Sequence, residues 1–165
     1  MKRDRTDGAF EIWGAELPGA VGEEWALAKR ATRLSALMAR AVDAELAKLG
    51  LTKAENDILS VLRASGEPYR LRPSDLAQRL MLSSGGMSNL LRRLAAAGLV
   101  DRDPDPSDAR SSWVVLTGAG VATAEDAVRA AAAAQAAYLR GVPPETTRAA
   151  LDALRDVLVA LGDTP

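Results

Sequence analysis

From Glu23 to Leu49 the chain runs without proline or glycine and places apolar residues at Leu27, Leu34, Leu37, Met38, Val42, Leu46 and Leu49. That spacing predicts one long helix, with Gly50 as its C-terminal cap. At about 1.5 Å per residue it would span roughly 40 Å, whereas a lone domain of this size has a radius near 15 Å, so part of the helix needs a partner to pack on. The residues before it, with Pro18, Gly19 and Gly22, read as a polar opening. Thr52 and Glu55 form a Thr-x-x-Glu capping pattern ahead of a second helix, whose apolar face is Ile58, Leu59 and Leu62 and which ends near Gly66. Tyr69 to Leu71 is a short extended link. Pro73 suits the first turn of a third helix with Leu76, Ala77 and Leu80 inward; Arg72 is a poor N-cap, so Ser74 is expected to cap instead.

Ser83 and Ser84 open a fourth helix through Met87, Leu90, Leu91 and Leu94 to Gly98. Leu99 to Arg102 and Ser112 to Leu116 then read as two strands joined by a long tip, Asp103 to Arg110, where Pro104 and Pro106 exclude helix. Thr117 starts a fifth, alanine-rich helix, whose small side chains let another helix approach closely; Gly141 and Pro143-Pro144 stop it. Thr147, Leu151, Leu154, Leu158 and Leu161 follow at heptad spacing, which at this length reads as an intramolecular core stripe rather than a free-standing zipper.

The composition narrows the chemistry. The 165 residues, 48% hydrophobic and 26% charged, suit one domain with a sizeable core. Cysteine and histidine are both absent, which excludes disulfides, Cys or His metal sites and any triad that needs an imidazole or thiolate. An enzyme would have to rest on carboxylates, for instance Glu23 with Glu24, or Asp101, Asp103 and Asp105 around Mg²⁺. Adjacent acids on a helix diverge, so this reading is set aside, and neither cofactor nor metal is expected.

Net charge is −1 and gives no argument for nucleic acid. Locally the balance differs: between Tyr69 and Arg102, Arg70, Arg72, Arg79, Arg92, Arg93 and Arg102 face only Asp75 and Asp101. No apolar run approaches the roughly 20 residues that span a bilayer, and the opening has no apolar leader segment, so a soluble, cytoplasmic protein with no membrane partner is expected.

Helix, turn, helix and hairpin, flanked by long helices, is the layout of a winged helix: a mainly α fold with a small β-hairpin wing. The second helix of the pair turns Ser84, Gly85, Ser88, Asn89 and Arg92 outward. Such residues suit a major groove, where Asn bonds adenine and Arg bonds guanine bidentately. Gly85 and Gly86 let the helix start approach a phosphate.

The stretch Leu71 to Gly120, LRPSDLAQRLMLSSGGMSNLLRRLAAAGLVDRDPDPSDARSSWVVLTGAG, resembles the multiple antibiotic resistance regulator (MarR) family of bacterial transcription factors. Its most specific part is GLV, then DPDPSDAR, then VVLT-x-x-G, from Gly98 to Gly120. The resemblance implies a sequence-specific regulator, by family default a repressor, bound to double-stranded DNA as a homodimer. Residues 1–49 would be an N-terminal arm and long dimerisation helix, 50–117 the winged-helix lobe, and 118–165 the C-terminal dimerisation helices of one structural domain. Two recognition helices would read a pseudo-palindrome with half-sites about 34 Å apart. Ser83 joins the recognition residues, and Arg72 and Arg93 are further phosphate contacts. In the wing, the D-x-x-D-x-R element falls on Asp105, Asp108 and Arg110; Arg110 would enter the minor groove and an Asp would orient it.

The resemblance also implies a small aromatic or lipophilic effector held between the DNA-reading lobe and the dimer helices. Trp13, Trp25 and Tyr138 are the candidates to stack on it, with Arg30 or Arg33 for a carboxylate. The reading that stays open is a winged helix used for protein contact or ligand binding without DNA binding, which the acidic total charge and the acid-rich wing would suit.

Overall fold

The computed structural model describes residues 3–105 and 108–163, with residues 105 and 108–111 described by their backbone alone. The elements are α1 (Arg5–Glu16), α2 (Glu23–Lys48), α3 (Lys53–Ala64), β1 (Arg70–Leu71), α4 (Pro73–Arg79), α5 (Ser84–Ala96), β2 (Val100–Asp105), β3 (Asp108–Leu116), α6 (Gly118–Tyr138) and α7 (Pro144–Ala160). The fold is mostly helical, with a three-stranded antiparallel sheet in the order β1-β3-β2. Among the described residues no helix is long and apolar enough to cross a membrane.

The core sits in the middle of the chain. Ile58, Leu59 and Leu62 from α3, Leu76 from α4, and Met87 and Leu94 from α5 are at most 1% exposed. They close against Val100 and Val114 of the sheet and against Ala124 and Ala127 of α6. The two alanines present only methyl groups, so α6 lies close to α2 and α3. The Arg63 guanidinium ties α3 to α6 by donating from Nε and Nη2 to Glu125 Oε1, at 3.1 and 2.8 Å. That bond holds the Glu125 carboxyl below the usual carboxylate range.

Caps agree with the sequence at several boundaries. Thr52 and Glu55 form the reciprocal capping box that starts α3, Ser83 accepts from Gly86 N to start α5, and Gly50 and Gly98 take positive φ where α2 and α5 end.

Four expectations need correction. The polar opening contains a helix, α1, because Asp4 caps it: Thr6 N and Asp7 N donate to the Asp4 carboxylate, while Asp4 N donates to Asp7. Ser74 does not cap α4. Its hydroxyl bonds the Asp75 carboxylate, and the N-cap of α4 is Arg72, with no side-chain cap; Pro73 in the first turn has no N–H and so leaves one fewer orphan donor. The strands also reach further into the tip than the prolines suggested, since β2 is an edge strand, where the missing N–H of Pro104 is tolerated. The link expected to be extended agrees with the sequence, its Arg70–Leu71 forming β1 of the same sheet.

The fourth correction concerns the heptad stripe. It is not an intramolecular core: α7 has no buried residue, and Leu151, Leu154, Leu158 and Leu161 are 57%, 37%, 48% and 78% exposed.

Candidate nucleic-acid interface

Met87, Leu91 and Leu94 anchor α5 in the core, which fixes its rotation. Seven-residue α4 precedes it, and the turn between them is closed by Leu82 N donating to Ala77 O at 2.9 Å. Met81 sits in that turn at φ 51, a left-handed conformation unusual for a side chain of its size, and is 93% exposed.

With the apolar face inward, Ser83, Ser84, Gly85, Ser88, Asn89 and Arg92 are all exposed, along the N-terminal and middle turns of α5. Arg92 Nη2 donates to Asn89 Oδ1. The two side chains therefore lie side by side on the exposed face of the helix. An alanine Cβ at Gly86 would lie 3.3 Å from Ser83 Oγ, while at Gly85 it would meet open space. Glycine at 86 therefore keeps the cap unstrained.

Arg93, one position on, turns back to the lobe, with Nε 3.0 Å from Glu55 Oε1. Burial alone would raise the Glu55 carboxyl; the Thr52 hydroxyl and backbone N–H, and the Arg93 guanidinium, outweigh it and hold it below the usual range. A carboxylate depressed in the folded state contributes stability that is fully present above its unfolded pKa and lost as pH falls through the folded one. Melting temperature should therefore drop below about pH 4, and Glu55→Gln, which keeps a capping side chain, should flatten that part of a pH series of thermal melts.

On the outer face of the sheet the guanidinium carbons of Arg70 and Arg72 lie 5.0 and 4.9 Å from the Trp113 ring centroid. Arg70 Nη1 also meets Asp103 Oδ2 at 2.9 Å; Arg102, paired with Val114 in the β2-β3 register, stands on the opposite face of the sheet, where its Nη1 donates to Ser112 Oγ at 2.9 Å. On the outer face the result is a cationic surface at the wing base, continuous through Arg72 with the start of α4.

The sequence model of the MarR family matches residues 49–111. The HTH-type transcriptional regulator PecS of Dickeya dadantii (strain 3937) is 36% identical over 110 residues, 67% of this chain and 66% of that protein. The multiple antibiotic resistance protein MarR of Escherichia coli (strain K12) is 31% identical over 86 residues, 52% and 58% of the two chains. The chain belongs to the MarR family. The match spans just under two thirds of the length of PecS and less of MarR. Solved structures agree on the winged-helix architecture. AbsC of Streptomyces coelicolor, a MarR family transcriptional regulator, superposes with a TM-score of 0.70 at 27% identity, covering 87% of this chain and 98% of that one. A mutant MarR from E. coli complexed with operator DNA gives 0.70 at 22% identity, covering 89% and 98%.

The MarR-family wing element expected at Asp105, Asp108 and Arg110 lies on β2 and β3, and its side chains are outside the described residues. Sequence reasoning counted Arg70 and Arg102 in the local positive excess without giving them a place in the site, and it missed Trp113. The alternation Arg70-Leu71-Arg72 was the available signal, since alternate residues of a strand share a face.

The effector residues are only partly brought together. Trp13, Trp25 and Arg33 line one cavity of about 660 Å³, walled by α1 and α2 alone. Arg30 is not among its lining residues: its guanidinium is bound to Asp4 and Asp7 at 2.9 and 2.6 Å, clamping the start of α1 to α2. Tyr138, at the end of α6, is exposed and lines neither this cavity nor the apolar one of about 490 Å³ between α2 and α7. The recess thus lies away from the winged-helix lobe, because α1, the element not foreseen, forms one of its walls.

Proposed function

We propose that this MarR-family protein is a sequence-specific DNA-binding transcriptional regulator, a repressor, acting as a homodimer on a pseudo-palindromic operator. The observation that carries the reading is the exposed polar face of α5 from Ser84 to Arg92 on a helix locked in rotation by its core residues. In this reading Asn89 and Arg92 read base edges, Ser83, Ser84 and Ser88 meet phosphate or base, and the α5 N-terminus at Gly85 and Gly86 approaches the backbone. Arg72 adds a phosphate contact, while Arg93, expected from the sequence to add another, is held on Glu55 and is not used in this reading. Arg110, oriented by Asp105 or Asp108, enters the minor groove from the wing. The uncovered α7 stripe supports a partner copy, with 1–49 and 118–165 as the dimerising segments. A small aromatic effector would release DNA by binding the DNA-incompetent arrangement better than the competent one.

Gel-shift titrations on an operator fragment and on scrambled DNA test this. Asn89→Ala and Arg92→Ala should each lose about 1–3 kcal/mol on the operator and little on scrambled DNA. Wild-type affinity should fall steeply as salt rises. Equal binding of both DNAs by wild type and variants would overturn the reading and favour a winged helix that contacts proteins or ligands only.

A further inference from the structure

The α1–α2 cavity carries a charge pattern that a simple aromatic acid does not use. Arg5, Lys29, Arg33 and Arg40 line it, and among the described residues no carboxylate does. Of the acids at α1, Asp4 and Asp7 are bound to Arg30 and Glu11 to Arg3, and Glu16 is not among the lining residues. Lys29 to Arg40 is a stretch of about 16 Å along the helix at 1.5 Å per residue, so the cations form a track rather than a point. Beside that track stand two indoles. Trp25 is backed by Phe10 at 6.2 Å between centroids, with Lys29 Nζ 5.4 Å from its ring, and Trp13 is 48% exposed.

A single carboxylate would answer one cation and leave the others facing one another. An extended anion with several negative charges answers the whole track, and an aromatic ring on the same molecule has an indole to stack on. A volume of about 660 Å³ is within the range of small-molecule sites. The α1 wall is held in place by the Asp4 capping box and the Arg30 clamp, so the recess is built before a ligand arrives. We infer that this cavity binds a planar aromatic group bearing a multiply charged phosphate tail, the chemistry of a nucleoside polyphosphate. The inference deepens the effector reading and rests on it, but does not depend on DNA binding.

Calorimetric titration of the full chain with ADP, adenosine, pyrophosphate and benzoate tests it. ADP should bind at least about tenfold more tightly than adenosine or benzoate. Arg33→Gln with Arg40→Gln should weaken ADP at least about tenfold, with unchanged circular dichroism, and Arg33→Lys should retain most of the affinity. Trp13→Leu should weaken ADP about fivefold or more and leave pyrophosphate unchanged, while Trp13→Phe restores stacking. ADP binding that is undetectable, or unaltered in the double arginine variant, overturns the inference. Benzoate binding more tightly than ADP overturns the ligand class and leaves the effector reading standing, whereas no binding of any probe removes both. The gel-shift result stands apart from all these outcomes.

Discussion

Replacing Gly120 with alanine is expected to destabilise the fold by about 3 kcal/mol and to lower the melting temperature by about 6–12 °C. A Cβ at this position would lie 1.9 Å from Leu99 O and 2.9 Å from Leu99 C. The obstacle is main chain, which cannot swing aside as a flexible side chain does. The strand is also pinned there: Thr117 N donates to Leu99 O at 3.2 Å, Thr117 Oγ1 donates to Gly98 O at 2.7 Å, and Gly120 N donates to Thr117 Oγ1 at 2.9 Å. Making room for a methyl group means breaking this cap and lifting α6 from the lobe, which also disturbs Ala124 and Ala127 against the core. Gly118→Ala is the internal control, because its Cβ would meet nothing within 4 Å, and it should melt at or above the wild-type temperature. If Gly120→Ala melts like wild type, the close approach of α6 to Leu99 is wrong.

Gly120 also shows how far the sequence could be read. The motif VVLT-x-x-G was visible, but the reason for its glycine was not, since the clash involves a backbone carbonyl brought back across a hairpin. Local signals fared well: Thr52 with Glu55, Ser83 as N-cap, and Gly50 and Gly98 after their helices are decided by a few neighbouring residues. The outward face of α5 was legible for the same reason, because helical periodicity assigns Ser84, Ser88, Asn89 and Arg92 once Met87, Leu91 and Leu94 go inward.

What escaped depends on pairs distant in sequence. The stacking of Arg70 and Arg72 on Trp113 needs the β1-β3 register, Arg70 opposite Val115 and Leu71 opposite Val114. The α1 helix escaped differently, because Gly8 and Gly14 and a weakly amphipathic pattern concealed it, although Asp4-x-x-Asp7 was a capping box in plain view. Without α1 the candidate effector residues were expected beside the DNA-reading lobe, whereas Trp13, Trp25 and Arg33 line a cavity between α1 and α2. Arg30 proved to be the clamp that makes the wall of the cavity, and Arg5, Lys29 and Arg40 went unremarked.

The heptad stripe of α7 yields the other large effect. Leu154→Glu combined with Leu158→Glu is expected to convert a dimer into a folded monomer and to weaken operator binding at least about 100-fold. The two positions belong to an apolar face that the chain leaves open, and Leu154 and Val157 line a recess with Leu27, Leu34 and Leu37 of α2. No residue of α7 is buried, so carboxylates there remove nothing from the core formed by α3, α4, α5 and the sheet. Helical content and the melting of the lobe should therefore be preserved, which separates this variant from Gly120→Ala. In an interface the same carboxylates would be desolvated against apolar groups, a cost of roughly 2 kcal/mol or more for each unpaired buried polar group. A monomer presents one recognition helix, and losing the second half-site forfeits the about 10²- to 10⁴-fold gain that linked binding confers. Sedimentation at micromolar concentration beside a gel shift on the same samples reads both effects. Unchanged mass in the double variant would place the dimer contact elsewhere. A monomer that still grips the operator at full affinity would remove the two-half-site arrangement while leaving the α5 face as the reader of DNA.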